Sequence, residues 1–265
     1  MGGAACKHRL VVAVAFALVT LPLIATVARA ELTERGDLFV RFEGGINPTA
    51  LPRTKRAPIA VEVGGTVKTL SGEEPPALRQ IRIELNRGGV IDARGLPDCR
   101  HSELVAASPE QAMAACGGSL VGEGRYRAKT SFPEQTTFPS EGHILAFNGK
   151  YEGREAILAH IYGVNPVPMN QVIVFRIRRK AGTFGTVLTG RLSDSLNPHG
   201  YVASIDLRLF RVYAFHGQRR SYISAACAAP AGFGVASFPF ARTSMAFADG
   251  RTLSSTLTRS CRVSG

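Results

Sequence analysis

Segments in which apolar and polar residues alternate recur through most of the chain, and this pattern restricts the possible folds most strongly. In the segment IRIELN the apolar residues are Ile81, Ile83 and Leu85. Arg82 and Glu84 alternate with them. Successive side chains of a β-strand point to opposite faces of a sheet, so this alternation is typical of a half-buried strand. The sequence therefore predicts an all-β protein.

Turn residues separate these segments and favour antiparallel pairing. Asp249-Gly250, for example, lies between two strand patterns and is a strong hairpin signal. Many short strands joined by Gly, Pro, Asn and Asp turns are typical of an antiparallel β-sandwich. We predict one such domain over residues 31–265, with one short, disulfide-tethered helix near 108–116. Further strand patterns occupy 38–42, 59–70, 120–132, 143–149, 155–163, 171–179, 186–192, 204–215 and 244–257.

The N-terminus has the features of a secretory signal peptide over residues 1–30. A basic KHR cluster precedes the uncharged run 10–27, and an Ala-Arg-Ala sequence ends at Ala30. The alternative is an uncleaved membrane anchor, but Pro22 interrupts the run and disfavours a continuous spanning helix. We therefore predict cleavage after Ala30, no stable membrane span afterwards, and a secreted or extracytoplasmic protein.

Four cysteines remain after this cleavage, namely Cys99, Cys116, Cys227 and Cys261. An even number of cysteines in an exported chain indicates disulfides, because oxidising compartments retain paired thiols. Four cysteines allow three connectivities. We favour Cys99–Cys116 and Cys227–Cys261, since each pair brackets a short local unit. Closing loops of these sizes stabilises a fold by roughly 3–4 kcal/mol each.

The spacer between the first two cysteines contains a helix signal. Ser108 is a good N-cap, and Gln111 stands at the capping-box distance from it. Zinc binding by Cys99, His101 and Cys116 is the alternative to a disulfide. It lacks a fourth ligand at a suitable spacing, so we predict no metal site.

Several short motifs occur together in a fixed order along the chain. They are RAPIAVEVGG, IRIELN, LPDC, a helix ending in Cys116, LVGEG, AFNG, SIDLRL, SYISAAC, FADG and a terminal Cys261. This order resembles a family of secreted bacterial β-sandwich proteins with two disulfides and no established function. The resemblance covers nearly the whole mature chain. It implies the same fold and the same disulfide pairing, and it implies no activity.

Catalytic motifs are missing from the sequence. It contains no G-x-S-x-G, H-E-x-x-H, P-loop or G-x-G-x-x-G. Asp194, Ser195 and His199 lie together in DSLNPHG, but members of a catalytic triad usually come from distant segments. We interpret this cluster as a turn and predict no catalytic residue and no cofactor.

Positive charge is the one feature that points to a function. Without the predicted signal the chain keeps 29 Lys and Arg against 20 Asp and Glu, a net charge of +9. A basic surface attracts polyanions over about a Debye length, roughly 10 Å. Outside the cell these are anionic envelope polymers or polysaccharide, and nucleic acid is not expected there. The candidate anion-binding residues are Arg176, Arg178, Arg179, Lys180, Arg219 and Arg220.

Three functional hypotheses follow. The first is a secreted, non-catalytic binding or structural protein of the cell envelope or extracellular space, with a basic surface. The second is a secreted hydrolase or carbohydrate-active enzyme, which two carboxylates converging at about 5–10 Å in a cleft would favour. The third is a subunit of a surface assembly that pairs through exposed strand edges. A basic surface that serves only solubility is the alternative explanation of the charge.

Overall fold

The computed structural model describes residues 30–130, 136–165, 168–192 and 200–264. Nearly all of the predicted signal peptide lies outside these ranges, as do Asp194, Ser195 and His199. None of the helices in the described part of the chain has the length and hydrophobicity that crossing a membrane would require.

Strands make up most of the described chain, which confirms the all-β class. The two helices in this part are α1 (His101–Leu104) and α2 (Pro109–Cys116), and a 3₁₀ turn follows at Gly117–Ser119. The strands are β1 Glu31–Arg35, β2 Leu38–Asn47, β3 Ala50–Leu51, β4 Ala57–Pro58, β5 Ala60–Thr69, β6 Leu78–Asn86, β7 Gly89–Ile91, β8 Cys99–Arg100, β9 Leu120–Thr130, β10 Phe138–Tyr151, β11 Arg154–Asn165, β12 Met169–Arg179, β13 Phe184–Arg191, β14 Gly200–Leu209, β15 Val212–Phe215, β16 Gln218–Ser221, β17 Ile223–Ala225, β18 Val235–Phe247 and β19 Thr252–Val263.

One continuous sheet dominates the architecture. Among the described strands, thirteen pair in the order β1-β2-β5-β14-β9-β10-β11-β12-β13-β6-β18-β19-β3, and β8 pairs with β10. The sheet curls into a half-barrel rather than the two separate sheets of a simple sandwich. Its two ends approach each other, since Arg259 Nη1 on β19 lies 2.9 Å from Glu31 Oε1 on β1.

Alternation along the strands produces the core inside this curl. On β2, Leu38, Val40 and Phe42 are almost fully buried, whereas Arg41 is exposed. Burying an apolar side chain of this size contributes roughly 1.5–3 kcal/mol. The same period-two pattern that predicts the strands therefore also determines which of their faces is inside.

Both predicted disulfides are present. The Cα atoms are 5.3 Å apart in Cys99–Cys116 and 5.7 Å apart in Cys227–Cys261. Glu103 lies beside the first pair, with ligand atoms of all three residues within 4.8 Å of one another. A disulfide offers no thiolate, so this group is not a zinc site as it stands.

The predicted short helix is α2, and its capping signals form as expected. The Gln111 amide donates to Ser108 Oγ at 3.3 Å, and the Ser108 amide donates to Gln111 Oε1 at 2.8 Å. Cys99, Leu104 and Cys116 of this region pack with Phe147 of β10 and Leu158 of β11 in a second, smaller apolar cluster. We call residues 99–119 the helical cover, because they lie over the face of β10 and β11 that is turned away from the main core.

Candidate anion-binding site

The cross-strand register brings arginines together on three adjacent strands. Thr189 of β13 is paired with Arg176 of β12 on one side and with Arg82 of β6 on the other. Neighbouring strands lie about 4.8 Å apart, and directly opposite residues project to the same face. The register therefore places one arginine on each side of Thr189, Arg176 on β12 and Arg82 on β6.

These residues form the floor of a pocket of about 480 Å³. This volume lies in the range of small-molecule sites, roughly 300–1,000 Å³. Arginine is the only charged residue type among the described residues that line it. We call it the arginine pocket, and its lining consists of Gln80, Arg82, His101, Tyr151, Val172, Val174, Arg176, Arg178, Thr189 and Arg191.

One wall of the arginine pocket holds Arg176 in place. The rings of His101 and Tyr151 meet edge to face, with centroids 5.5 Å apart and an interplanar angle of 71°. The Arg176 guanidinium carbon lies 5.3 Å from the centroid of the Tyr151 ring, a cation–π contact. Arg176 Nη2 also donates to Glu152 Oε2 at 2.7 Å. Two independent contacts thus restrict this guanidinium.

The helical cover supplies His101 to this wall and is itself fixed to the sheet from below. The backbone carbonyl of Ala107 accepts a hydrogen bond from Asn170 Nδ2 of β12. His160 of β11 is fully buried, and its Nε2 lies 3.0 Å from the same carbonyl. Burial lowers the pKa of His160, against the opposite effect of the Ala107 carbonyl, so the imidazole stays neutral near neutral pH. Ala106, the residue before Ala107, has a φ of 61°, in the left-handed region.

A buried carboxylate lies beside the pocket and organises three cations. Glu84 of β6 is 3% exposed, and its Oε1 accepts from Lys180 Nζ at 2.5 Å and from Arg82 Nη2 at 2.9 Å. Its Oε2 accepts from Arg242 Nε at 2.5 Å. Burial by itself would raise the pKa of Glu84, but the three cations outweigh burial and lower the pKa to about 2. One negative charge therefore faces three positive charges.

Two arginines of the pocket have no counter-ion in the described part of the chain. Arg178 and Arg191 are both exposed and line the pocket. No carboxylate among the described residues lies within ion-pair distance of either guanidinium, whereas Arg176 is paired with Glu152. The arginine pocket consequently carries a net positive charge.

The sequence-predicted candidates are divided by the fold. Arg176 and Arg178 line the arginine pocket. Lys180 does not line it, but pairs with Glu84, which also pairs with the lining residue Arg82. Arg179 points the other way and donates to the Ile91 carbonyl at 2.9 Å.

Arg219 and Arg220 lie apart from the pocket on β16, where Arg220 Nη1 is 3.3 Å from Asp92 Oδ2. Sequence reasoning missed Arg82, Thr189 and Arg191. The outward phase of each strand pattern was a signal for them, but their convergence depends on strand order.

A second depression, of about 870 Å³, lies where the two ends of the curled sheet approach each other. Here opposite charges pair: Arg208 Nε lies 3.5 Å from Glu62 Oε1, and Arg259 Nη1 lies 2.9 Å from Glu31 Oε1. We call it the acidic depression. The charged residues of its lining are Glu31, Glu43, Glu62, Glu123, Asp206, Arg208 and Arg259.

No protein-family model matches the chain, and comparisons with curated proteins and with solved structures found no match. The β-rich fold and the two disulfides therefore stand on the structure alone. Membership of the secreted bacterial family that the sequence resembles stays a prediction.

Proposed function

We propose that this protein is a secreted, non-catalytic binding protein that holds anionic polymers of the cell envelope or extracellular space through the arginine pocket. One observation supports this most directly: four arginines surround Thr189 in a preformed concavity, and two of them have no counter-ion among the described residues. The two disulfides are typical of oxidising, extracytoplasmic compartments.

The family resemblance fits the same proposal. We infer that the chain belongs to the secreted bacterial family that its motifs resemble, and the two disulfides and the all-β fold are consistent with that membership. This membership adds a compartment to the proposal and adds no ligand.

Concavity makes these charges more effective than the same number spread over a flat surface. The low-dielectric walls of a cleft concentrate the field of the charges that line it. Guanidinium groups donate paired hydrogen bonds to carboxylate or phosphate oxygens, so they bind anions with defined geometry. Mobile ions screen such contacts, and binding should weaken as ionic strength rises.

A co-sedimentation experiment with purified cell envelopes tests the proposal. The test variant is the double substitution Arg178→Ala/Arg191→Ala. The matched control is Arg125→Ala/Arg262→Ala, which removes two exposed arginines outside the pocket and changes the net charge equally. The wild-type protein and the control should sediment with envelopes at low salt and be released at high salt, whereas the pocket variant should remain in the supernatant.

Two results would contradict the proposal. If both double variants lose retention equally, net charge rather than the pocket is responsible. If retention of the wild-type protein does not respond to salt, the contact is not electrostatic. Circular dichroism of each variant verifies that the fold is intact.

A further inference from the structure

The charge balance around Thr189 favours a ligand with more than one negative charge. Of the arginines that line the arginine pocket, Arg82 shares the carboxylate of Glu84 with two cations outside the lining and Arg176 pairs with Glu152. Arg178 and Arg191 have no counter-ion in the described part of the chain. A carboxylate carries one charge. A phosphate monoester carries about −1.5 to −2 near neutral pH, because its second pKa is about 6. The excess in the pocket matches the larger charge.

The geometry of the donors also favours a tetrahedral anion. Arg176 and Arg82 flank Thr189 from opposite sides, while Arg191 is displaced along β13 by two residues, or about 6.8 Å. A planar carboxylate is fully engaged by one guanidinium fork. The three terminal oxygens of a phosphate monoester point in different directions, so donors from several sides can bind them together. The Thr189 hydroxyl lies at the centre of this ring and can donate as well.

The remaining lining residues can contact the group to which the phosphate is attached. Val172, Val174 and Tyr151 form an uncharged side of the same pocket. The volume of about 480 Å³ exceeds what a single phosphate group fills, which leaves room for an attached alcohol or sugar against these side chains. We infer that the arginine pocket recognises a phosphate monoester, either on a small molecule or at the end of a polymer. This inference rests on the proposed function, since it specifies the anion that the same pocket binds.

Titration calorimetry of the oxidised protein at low ionic strength tests the inference. The probes are glycerol 3-phosphate, inorganic phosphate, glucuronate as a sugar carboxylate, and uncharged glycerol. We expect glycerol 3-phosphate to bind at least tenfold more tightly than glucuronate, and glycerol not to bind. Thr189→Val keeps the shape of the side chain and removes the hydroxyl, so it should weaken glycerol 3-phosphate binding about tenfold and leave glucuronate binding within twofold.

Each alternative outcome has a distinct meaning. Glucuronate binding as tightly as glycerol 3-phosphate would overturn the phosphate inference, while envelope retention that still requires Arg178 and Arg191 would keep the proposed function. Inorganic phosphate binding as tightly as glycerol 3-phosphate would retain phosphate recognition and overturn contact with the carrier group. If Thr189→Val binds glycerol 3-phosphate as tightly as the wild-type protein while Arg178→Ala/Arg191→Ala loses that binding, the role of the Thr189 hydroxyl would be overturned. Absence of binding by every probe, together with envelope retention that is independent of the pocket, would overturn both proposals.

Discussion

The arginine pocket and the acidic depression lie on the same curled sheet and are built from the same alternating strands, yet their charges are organised in opposite ways. In the depression, arginines such as Arg208 pair with carboxylates on neighbouring strands. In the pocket, Arg176 and Arg178 follow each other on one face of β12. The carboxylates that contact its arginines among the described residues, Glu84 and Glu152, leave two of the four arginines without a counter-ion. Cross-strand neighbours, rather than the number of charged residues, determine whether a face of this sheet can attract an anion.

The two regions also differ in how they are stapled. Cys99–Cys116 holds the helical cover that supplies His101 to the pocket, while Cys227–Cys261 fixes β19, whose Arg259 lines the depression. Each disulfide therefore supports one of the two regions. Comparing the two disulfide variants distinguishes an effect on the stability of the fold from an effect on the shape of the arginine pocket.

The largest expected effects come from the disulfides. Cys227→Ala/Cys261→Ala opens a closure of 34 residues and should lower the free energy of unfolding by about 4 kcal/mol, without changing anion affinity in the folded protein. Cys99→Ala/Cys116→Ala opens a closure of 17 residues and should cost about 3 kcal/mol. It should also weaken glycerol 3-phosphate binding, because the wall at His101 loosens. Urea unfolding and calorimetry measure both quantities, and equal loss of affinity in the two variants would contradict the division into two regions.

The next effect concerns the buried carboxylate of the pocket side. The pKa of Glu84 is lowered from 4.5 to about 2 in the folded protein, so its stabilising contribution is complete above about pH 4.5 and is lost as the pH falls towards 2. A shift of this size corresponds to about 3 kcal/mol. Glu84→Gln should therefore be less stable than the wild-type protein at pH 7, and the difference should shrink at low pH.

Glu62 of the acidic depression is the matched control for Glu84. Its side chain is 58% exposed, and its ion pair with Arg208 is 3.5 Å long. Exposed pairs contribute about 0–1 kcal/mol, so Glu62→Gln should leave the pH profile of unfolding nearly unchanged. Identical profiles for Glu62→Gln and Glu84→Gln would show that burial makes no difference between the two regions.

Charge reversal tests the comparison directly. Arg178→Glu places a negative charge in the pocket and should weaken glycerol 3-phosphate binding by about thirtyfold, roughly 2 kcal/mol by the usual conversion. Glu123→Lys makes the opposite change in the acidic depression and should alter the affinity by less than twofold. Calorimetry at low salt measures both. Changes of equal size and opposite sign would mean that net charge, rather than position, governs binding.

The smallest expected effect comes from the backbone of the helical cover. Ala106 has a φ of 61°, and a left-handed conformation costs a non-glycine residue roughly 1–2 kcal/mol. Ala106→Gly relieves this cost while increasing the freedom of the unfolded chain, so the net gain in unfolding free energy should be about 0.5–1 kcal/mol. Thermal unfolding should show a slightly higher midpoint, with anion affinity unchanged. A destabilised variant would indicate that Ala106 makes packing contacts that outweigh the strain.

Local signals account for the parts of the fold that could be predicted. The pattern at 171–179 lies within β12, and the Asp249-Gly250 turn connects β18 and β19 as expected. Ser108 and Pro109 begin a helix because their side chains suit those positions whatever surrounds them. These features extend over a few residues, so neighbouring sequence is sufficient to specify them.

The arginine pocket could be predicted only in part. Arg176 and Arg178 share a face of one strand, which the alternation alone indicates. Arg82 and Thr189 are about a hundred residues apart in sequence and meet because β6 pairs with β13 in one particular register. A shift of one residue would turn Arg82 towards the core, and no local pattern specifies which strand is the partner.

The sequence by itself determined most of the strand segments and the short capped helix, because period-two alternation and capping residues act within short stretches of chain. It favoured one of three possible cysteine pairings, which the structure then confirmed. The tertiary structure alone decided that one sheet curls on itself, and which of the many arginines face an anion pocket and which pair with carboxylates. These outcomes follow from strand order and register, which depend on how the whole apolar surface is buried at once.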